Sequence, residues 1–383
     1  MVLFGCHRLL RIFLLLWGYV QFGLIKSVKI KLKVLMINKI KTAVVFTASI
    51  VGGHELMAIA HIKRFLNKGF SLSCFVPEDN SQLKEILTNQ SVVYDTHAVC
   101  HKRLEILHSF LNLKYRMRAR HFLKKISADY DYIVIIQGDI ELGSVLINEG
   151  AVICKDKIIS YIPYTHRFSL MGSKFALVKD ILSNIVYKRC NKYITISNVF
   201  ANELKKRNSN ARVKVLRNVI VNFNPENVRG SGYTYHQSEN EFVLLMAGRI
   251  YFRQKGQHLL IGALRKINVN KNIRVKVIGD GPDLKKMKEM SDTLSSNVTF
   301  EYMGWKNNIW DYTKDVDALV LPSLYEGVPL VMLEAIKANV SIIAPARDGM
   351  LDYIPQIYLY KTGSEEEEID ALSIKLQDII SGN

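Results

Sequence analysis

The sequence predicts an α/β protein of two halves, each built on a parallel sheet with both faces covered. Three observations carry that reading. Apolar runs such as Tyr132-Ile133-Val134-Ile135-Ile136 and Phe242-Val243-Leu244-Leu245-Met246 show no polar alternation, which marks strands buried on both sides. Several runs end in glycine-bearing turns and lead into residues at helical spacing, the order by which an α/β sheet presents a ligand site at its carboxyl end. Between the halves, residues 221–240 are polar and broken by Pro225 and Gly232, a linker signature.

The elements follow in order. In the first half, Thr42–Phe46 reads as a strand ending in Gly52-Gly53-His54-Glu55, and Leu56–Leu66 as a helix. Further strands are Phe70–Val76, Tyr132–Ile136 ending in Gln137-Gly138-Asp139, Ile158–Ile162 ending in Pro163-Tyr164-Thr165-His166, Tyr193–Ser197 and Val213–Leu216. In the second half, strands are expected at Phe242–Met246, Arg274–Ile278, Val298–Met303, Ala318–Leu321 and Ser341–Ala344, with helices at Gln257–Ile267 and Ile369–Ile380. No short-period repeat is present, which excludes solenoids. The boundaries are an N-terminal extension at 1–36, a first domain at 37–222, a linker at 223–240 and a second domain at 241–383. The chain of 383 residues is long enough for two ordinary domains.

The five cysteines are scattered and form no C-x-x-C, so neither a disulfide framework nor a zinc site is expected and a reducing compartment fits. The net charge is +17, and eight cations with no acid lie between Met1 and Lys41. A second basic block runs from Lys102 to Lys125, with Glu105 its one acid and Leu104, Leu107, Leu111, Met117 and Phe122 at roughly helical spacing. It reads as a basic amphipathic helix pair suited to an anionic membrane surface or a phosphate-bearing acceptor, or else as a solvated helix face. No nucleic-acid module is recognisable, so a nucleic-acid partner is not expected. Leu9–Ile25 is apolar but interrupted by Arg11 and Gln21. Its uninterrupted part is shorter than the ~20 residues of a spanning helix, and no cleavage site follows. A membrane anchor, an interfacial helix and residues upstream of the natural start all fit; the last is preferred, with Met36 as the initiator and a chain beginning there expected to fold.

The chemistry is concentrated in the second half. Glu326-Gly327-Val328-Pro329-Leu330-Val331-Met332-Leu333-Glu334 places two carboxylates eight positions apart across a turn. Eight residues span ~2.2 helical turns, so the two need not share a face. Two acceptor-only groups at different depths suit a polyol such as a nucleotide sugar. Gly248-Arg249 and Lys255-Gly256 bracket the end of one strand and the start of the next helix, where two cations can converge on a diphosphate and neutralise the charge of a departing nucleoside diphosphate. Gly279-Asp280-Gly281-Pro282 lets a backbone approach a ligand at a helix start, and is also a good turn. Trp305, after Gly304, suits either packing or contact with a base. In the first half, Gly52-Gly53 resembles a phosphate-approach loop without a dinucleotide fingerprint, and Glu55 caps its helix or faces an acceptor, capping being preferred. His166 sits at a strand mouth where it can hydrogen-bond a sugar hydroxyl or phosphate. Asp315-Val316-Asp317 and Asp129-Tyr130-Asp131 look like metal motifs but lead into apolar strands, so caps are expected and no metal site is read. Glu365–Glu368 reads as a solvated charge run.

Gly248-Arg249, Lys255-Gly256, Gly279-Asp280-Gly281-Pro282, Gly304-Trp305, Leu321-Pro322-Ser323 and the Glu326-to-Glu334 pair occur in the order and spacing of family 4 (group 1) glycosyltransferases of the GT-B fold, which this chain resembles. The match is dense over 242–355 and thin over 42–220, where Gly52-Gly53-His54-Glu55 is similar to the family's N-terminal loop. The resemblance implies two Rossmann-like domains with parallel sheets facing across a cleft, and retaining, metal-independent sugar transfer with no cofactor. It implies that Glu326 holds the donor sugar, Glu334 the ribose, Arg249 and Lys255 the diphosphate, and that His166 stands near the sugar from the opposite wall. Gly52, Gly53, Gly248, Gly279, Gly281, Trp305, Gly327 and Leu330 complete the donor-binding set. Three departures stand out: one extra residue between Arg249 and Lys255, His258 where an Asp is frequent, and a crossover helix that looks short or absent. The expected function is transfer from a nucleotide-sugar donor to a lipid-linked saccharide acceptor in bacterial surface polysaccharide synthesis, by a cytoplasmic protein peripheral on the inner face of the membrane. A sugar-nucleotide epimerase or hydrolase, or a non-catalytic partner subunit, are the rival readings.

Overall fold

The computed structural model describes residues 40–220 and 240–382. The expected extension at 1–36 and nearly all of the linker at 223–240 lie outside the described residues. The chain divides into two compact units. The first comprises the chain up to Thr165, Lys174–Thr195 and Ala201–Val219; the second comprises His166–Ser173, Ile196–Phe200 and the chain from Ile220 onward.

The first unit is built on a seven-stranded sheet: β1 (Lys41–Phe46), β2 (Ser71–Pro77), β3 (Tyr94–His97), β4 (Tyr132–Ile136), β5 (Ile158–Tyr161), β6 (Lys192–Thr195) and β7 (Arg212–Val215), in the order β3-β2-β1-β4-β5-β6-β7. Each pairing is parallel, with Val44 opposite Cys74 on one side and Val134 on the other. Its helices are α1 (Gly53–Leu66), α2 (Ser81–Asn89), α3 (Glu105–Leu111), α4 (Leu113–Asp129), α5 (Ser144–Ile153), α6 (Ala176–Arg189) and α7 (Asn198–Arg207), the first residues of α7 belonging to the second unit.

The second unit repeats the plan with six strands: β8 (Glu241–Ala247), β9 (Asn272–Ile278), β10 (Val298–Gly304), β11 (Ala318–Val320), β12 (Ser341–Pro345) and β13 (Leu359–Tyr360), ordered β10-β9-β8-β11-β12-β13. The helices are α8 (Phe252–Lys255), α9 (Gln257–Lys266), α10 (Leu284–Ser291), α11 (Leu330–Lys337) and α12 (Glu365–Ser381). Both sheets therefore have the Rossmann-like reversal, between β1 and β4 and between β8 and β11, where loops diverge and leave room for a ligand. Leu244, Leu245, Leu319 and Ile343 are fully buried in the second sheet, as unalternating runs require. Helix α12 packs onto α9 within its own unit.

Of two expectations about charge, the helix pair of the basic block is observed and the solvated acidic run is corrected at one residue. The basic block forms two helices broken at Asn112, whose side chain accepts the Tyr115 N–H at 3.0 Å. Its buried face is made by Ile106, Tyr115, Ala119, Leu123 and Ile126, while Leu111 and Met117 point outward. Arg116 and Arg120 both pair with the buried carboxylate of Glu149 in α5 while keeping part of their side chains in solvent; an unpaired buried carboxylate there would be costly. In the run Glu365–Glu368, only the first three residues are solvated; Glu368 is buried and paired with Arg347.

Candidate active site

Most of the second-unit candidates lie where strands end, and Leu330 and Glu334 lie in α11. After β8 the chain passes through Gly248, Arg249 and Tyr251 into the single turn α8, which ends at Lys255. Gly256 follows in the left-handed region, with φ of 59°. A Cβ there would stand 2.0 Å from the carbonyl oxygen of Pro322, so only glycine lets this corner pass the loop that follows β11. The Leu324 N–H donates to the Gln254 carbonyl at 2.8 Å, which ties the same two loops together.

The tie brings Lys255 onto Glu326. The ammonium Nζ donates to Glu326 Oε1, an oxygen that also accepts the Ser323 hydroxyl at 2.9 Å. Glu326 is nearly buried, whereas the Lys255 side chain keeps about a quarter of its surface in solvent (27%). The pair is thus a charge couple open on one side: a carboxylate held from below and an ammonium facing outward. Its support comes from the loop after β12. The Glu326 N–H donates to Asp348 Oδ2 at 2.8 Å, and the Gly349 N–H donates to the Gly327 carbonyl at 3.1 Å. Asp348 itself adopts φ of 52°, a conformation that costs a non-glycine residue energy and persists only where surroundings fix it.

The sequence places His166 in the first half; in the structure it belongs to the second unit. Its Nε2 lies 3.0 Å from the Glu326 carbonyl oxygen and 3.4 Å from Asp348 Oδ2. Two acceptors on one nitrogen require that Nε2 carry the proton. The ring is edge-on to Phe200 and Tyr325 and almost wholly buried. His166 therefore props the Glu326 backbone.

Arg249 is brought to the same strand ends but makes its contacts elsewhere than the Lys255–Glu326 couple. It is exposed, its guanidinium 5.7 Å from the centre of the Tyr251 ring, and its carbonyl accepts from Gln257 Nε2 at 2.9 Å. Gly279, with φ of 153°, and Gly281 serve a nearer need than ligand approach. A Cβ at Gly279 would fall 1.9 Å from the Gly248 oxygen, and one at Gly281 2.1 Å from the Ile250 oxygen. The glycines let the β8 and β9 loops lie backbone against backbone, joined by the Ile250 N–H to the Asp280 carbonyl at 2.9 Å. Trp305 does not pack; it is 70% exposed at the end of β10. Glu334 lies in α11, one turn beyond Leu330, and its Oε2 accepts the Trp310 indole N–H at 2.8 Å. Burial pushes its pKa up, opposed by that indole bond. His258 faces Glu365 at 3.7 Å, and burial pushes its pKa down.

In the first unit, Gly52 and Gly53 form the entry to α1. Glu55 is fully buried and its Oε2 accepts the Gly52 N–H at 2.8 Å, so the capping role is the one observed. A Cβ at Gly53 would meet nothing within 4 Å. Asp315 pairs with Arg274 and Lys276, Asp317 accepts the Val243 N–H at 2.7 Å, and Asp131 accepts the Lys41 N–H at 2.9 Å. These carboxylates thus serve the ends of strands.

Residues 235–382 match the family described as glycosyl transferases group 1. The chain is 31% identical over 146 residues to the UDP-Gal:alpha-D-GlcNAc-diphosphoundecaprenol alpha-1,3-galactosyltransferase of Escherichia coli, covering 37% of this chain and 35% of that protein. It is 26% identical over 257 residues to the lipopolysaccharide 1,6-galactosyltransferase of Salmonella typhimurium, covering 63% of this chain and 65% of that one. Among the first curated relatives, the matched stretches span about a quarter to a third of their own length (26%, 35% and 30%). Among solved structures, the apo form of the lipopolysaccharide outer core galactosyltransferase WaaB superposes with a TM-score of 0.67 at 20% identity, covering 90% of this chain and 91% of that one. At that identity the likeness is one of fold: two Rossmann-like domains of the GT-B type.

Sequence reasoning missed Asp348, which ties the Glu326 backbone and His166 together. Its only signal is an Asp-Gly pair three residues after β12, a pattern shared by ordinary turns. Arg347 was equally silent: it donates to the Leu324 carbonyl at 2.6 Å and pairs with Glu368, bracing the same loop from α12.

Proposed function

We propose that the protein is a retaining glycosyltransferase that moves a sugar from a nucleoside-diphosphate donor to a lipid-linked saccharide, without a metal. The observation that carries the reading is the Lys255–Glu326 couple at the sheet's carboxyl end. An ammonium paired with a carboxylate but open to solvent suits a pyrophosphate oxygen, whose charge grows as the glycosidic bond breaks. Glu326, acceptor-only, suits donor-sugar hydroxyls; Arg249 adds a second cation for the diphosphate, and Glu334 a second acceptor for the ribose. The exposed Trp305 suits stacking on the base. In this scheme His166 and Asp348 position Glu326. The lipid-linked acceptor and the setting in surface polysaccharide assembly are supported by the relative whose name gives a UDP-galactose donor and a diphosphoundecaprenol-linked acceptor.

The test combines calorimetry with a panel of nucleoside diphosphates and product analysis with lipid-linked acceptors. Binding of a diphosphate that weakens in Lys255→Ala, and transfer with retained anomeric configuration in excess chelator, are expected. Stoichiometric turnover of donor without acceptor would favour an epimerase or hydrolase instead, and absence of any nucleotide binding would leave a non-catalytic partner.

A further inference from the structure

The segment between β10 and β11 carries Trp310 to Glu334 of α11. It contains one turn of 3-10 helix, Ile309–Tyr312, and hydrogen bonds pin that turn on both sides. The Asn308 side chain accepts the Trp310 N–H at 3.3 Å and donates to Asp311 Oδ1 at 2.7 Å. The Trp310 carbonyl accepts the hydroxyl of the fully buried Thr313 at 3.1 Å, and Lys276 Nζ donates to the Tyr312 carbonyl at 3.1 Å. The Trp310 side chain is thereby held out of water, with 2% exposed. A buried indole N–H needs an acceptor, and the one it takes is Glu334 Oε2 at 2.8 Å.

The donor's chemistry matters. Among the described residues the indole is the one hydrogen-bond donor to this carboxylate, and the effect that opposes its desolvation comes from that N–H rather than from a cation. A neutral donor fixes one carboxylate oxygen and leaves the negative charge in place, so Oε1 stays a strong acceptor. One such oxygen has two lone pairs, enough for the two neighbouring hydroxyls of a ribose. Glu334 is also a long side chain on an otherwise half-exposed position of α11. Holding it in one place before a ligand arrives removes part of the ordering cost of binding. The indole ring is itself rigid and its backbone is tied at N–H and carbonyl, so the hold has little slack.

We propose that Trp310 is a positioning residue for the nucleoside: by holding Glu334 Oε2 it presents Oε1 to the ribose hydroxyls, and so sets a preference for ribonucleotides over deoxyribonucleotides. The inference rests on the reading of Glu334 as the ribose acceptor. Calorimetry of the full chain with uridine diphosphate, 2′-deoxyuridine diphosphate and inorganic pyrophosphate tests both. Wild type should prefer the ribonucleotide by about ten-fold or more. Trp310→Phe should weaken uridine diphosphate about ten-fold and narrow the preference to about two-fold, with pyrophosphate binding as in wild type. On a Glu334→Ala background the same change should cost no further affinity, because the two residues act as one unit. If Trp310→Phe does not fold, the benzothiophene analogue of tryptophan placed at position 310 keeps the ring's size and removes only its N–H. A preference that survives intact in either variant would overturn the inference alone. So would a loss of pyrophosphate binding as large as that of the nucleotide, which would reduce Trp310 to packing. Wild type that binds the two nucleotides equally, or neither of them, would instead sink the ribose reading and the inference with it.

Discussion

The two units share one plan, a parallel sheet reversing beside its first strand, yet they use different parts of it. In the second unit the distinctive residues are at the strand ends, where glycines let loops touch backbone to backbone and ties fix Lys255 against Glu326. In the first unit the strand ends are quieter, with Glu55 spent on a cap, and the distinctive residues are on the outer helices. The same scaffold thus serves position in one unit and surface in the other.

The sharpest way to break this comparison is Lys255→Ala. If the second unit's strand ends do the chemistry, kcat should fall about 10²- to 10³-fold with the circular dichroism spectrum unchanged. Near-normal turnover would remove the contrast altogether. Next comes a pair of glycine substitutions. Gly279→Ala drives a methyl group onto the Gly248 oxygen at a φ of 153° and should cost about 3 kcal/mol or more in chemical denaturation. Gly53→Ala meets nothing within 4 Å and should change stability by less than about 0.5 kcal/mol.

Acid should separate the units too. His61 and His97 of the first unit are buried, and burial lowers both pKa values to about 4. Neither ring nitrogen of His61 has a hydrogen-bond partner among the described residues. His97 donates from Nε2 to the Phe46 carbonyl at 2.9 Å and accepts the Val99 N–H at Nδ1, 3.3 Å away, so a second proton would break the latter bond. The unfolded chain takes up these protons near pH 6.5, the folded chain only near 4. Stability is therefore full above that upper value and falls as pH drops through the window, by on the order of 3 kcal/mol for each residue at its lower end. Melts of wild type and His61→Leu between about pH 7 and about pH 4.5 should show the variant keeping more of its stability. The smallest expected effect is at Trp305: Trp305→Ala should leave the melting temperature unchanged and weaken nucleotide binding roughly ten-fold by calorimetry.

Much of this was legible because central strands such as β1, β4, β8 and β12 are unbroken apolar runs, and because Glu326 and Lys255 sit beside the glycines of their turns. What was hidden depends on contacts between distant segments. The edge strand β3 is Tyr-Asp-Thr-His, with Asp95 and Thr96 exposed, and β13 has only two residues; neither offers a hydrophobic run. Helix α6 has a clear apolar stripe, but periodicity reports only that a face exists and not which way it points. Arg116 and Arg120 look like surface charge until Glu149, some thirty positions away, is found beneath them. Asp348 gains its meaning only when its loop meets Glu326.

Because His166–Ser173 and Ile196–Phe200 belong to the second unit, that unit is not one continuous piece of chain. Cutting the gene at the linker would separate Glu326 from the imidazole beneath it and strip away Phe168 and Phe200, both buried in the intact protein. A C-terminal fragment would be born with an apolar hollow beside the Glu326 carboxylate, so recombination between related genes has reason to keep these halves in step.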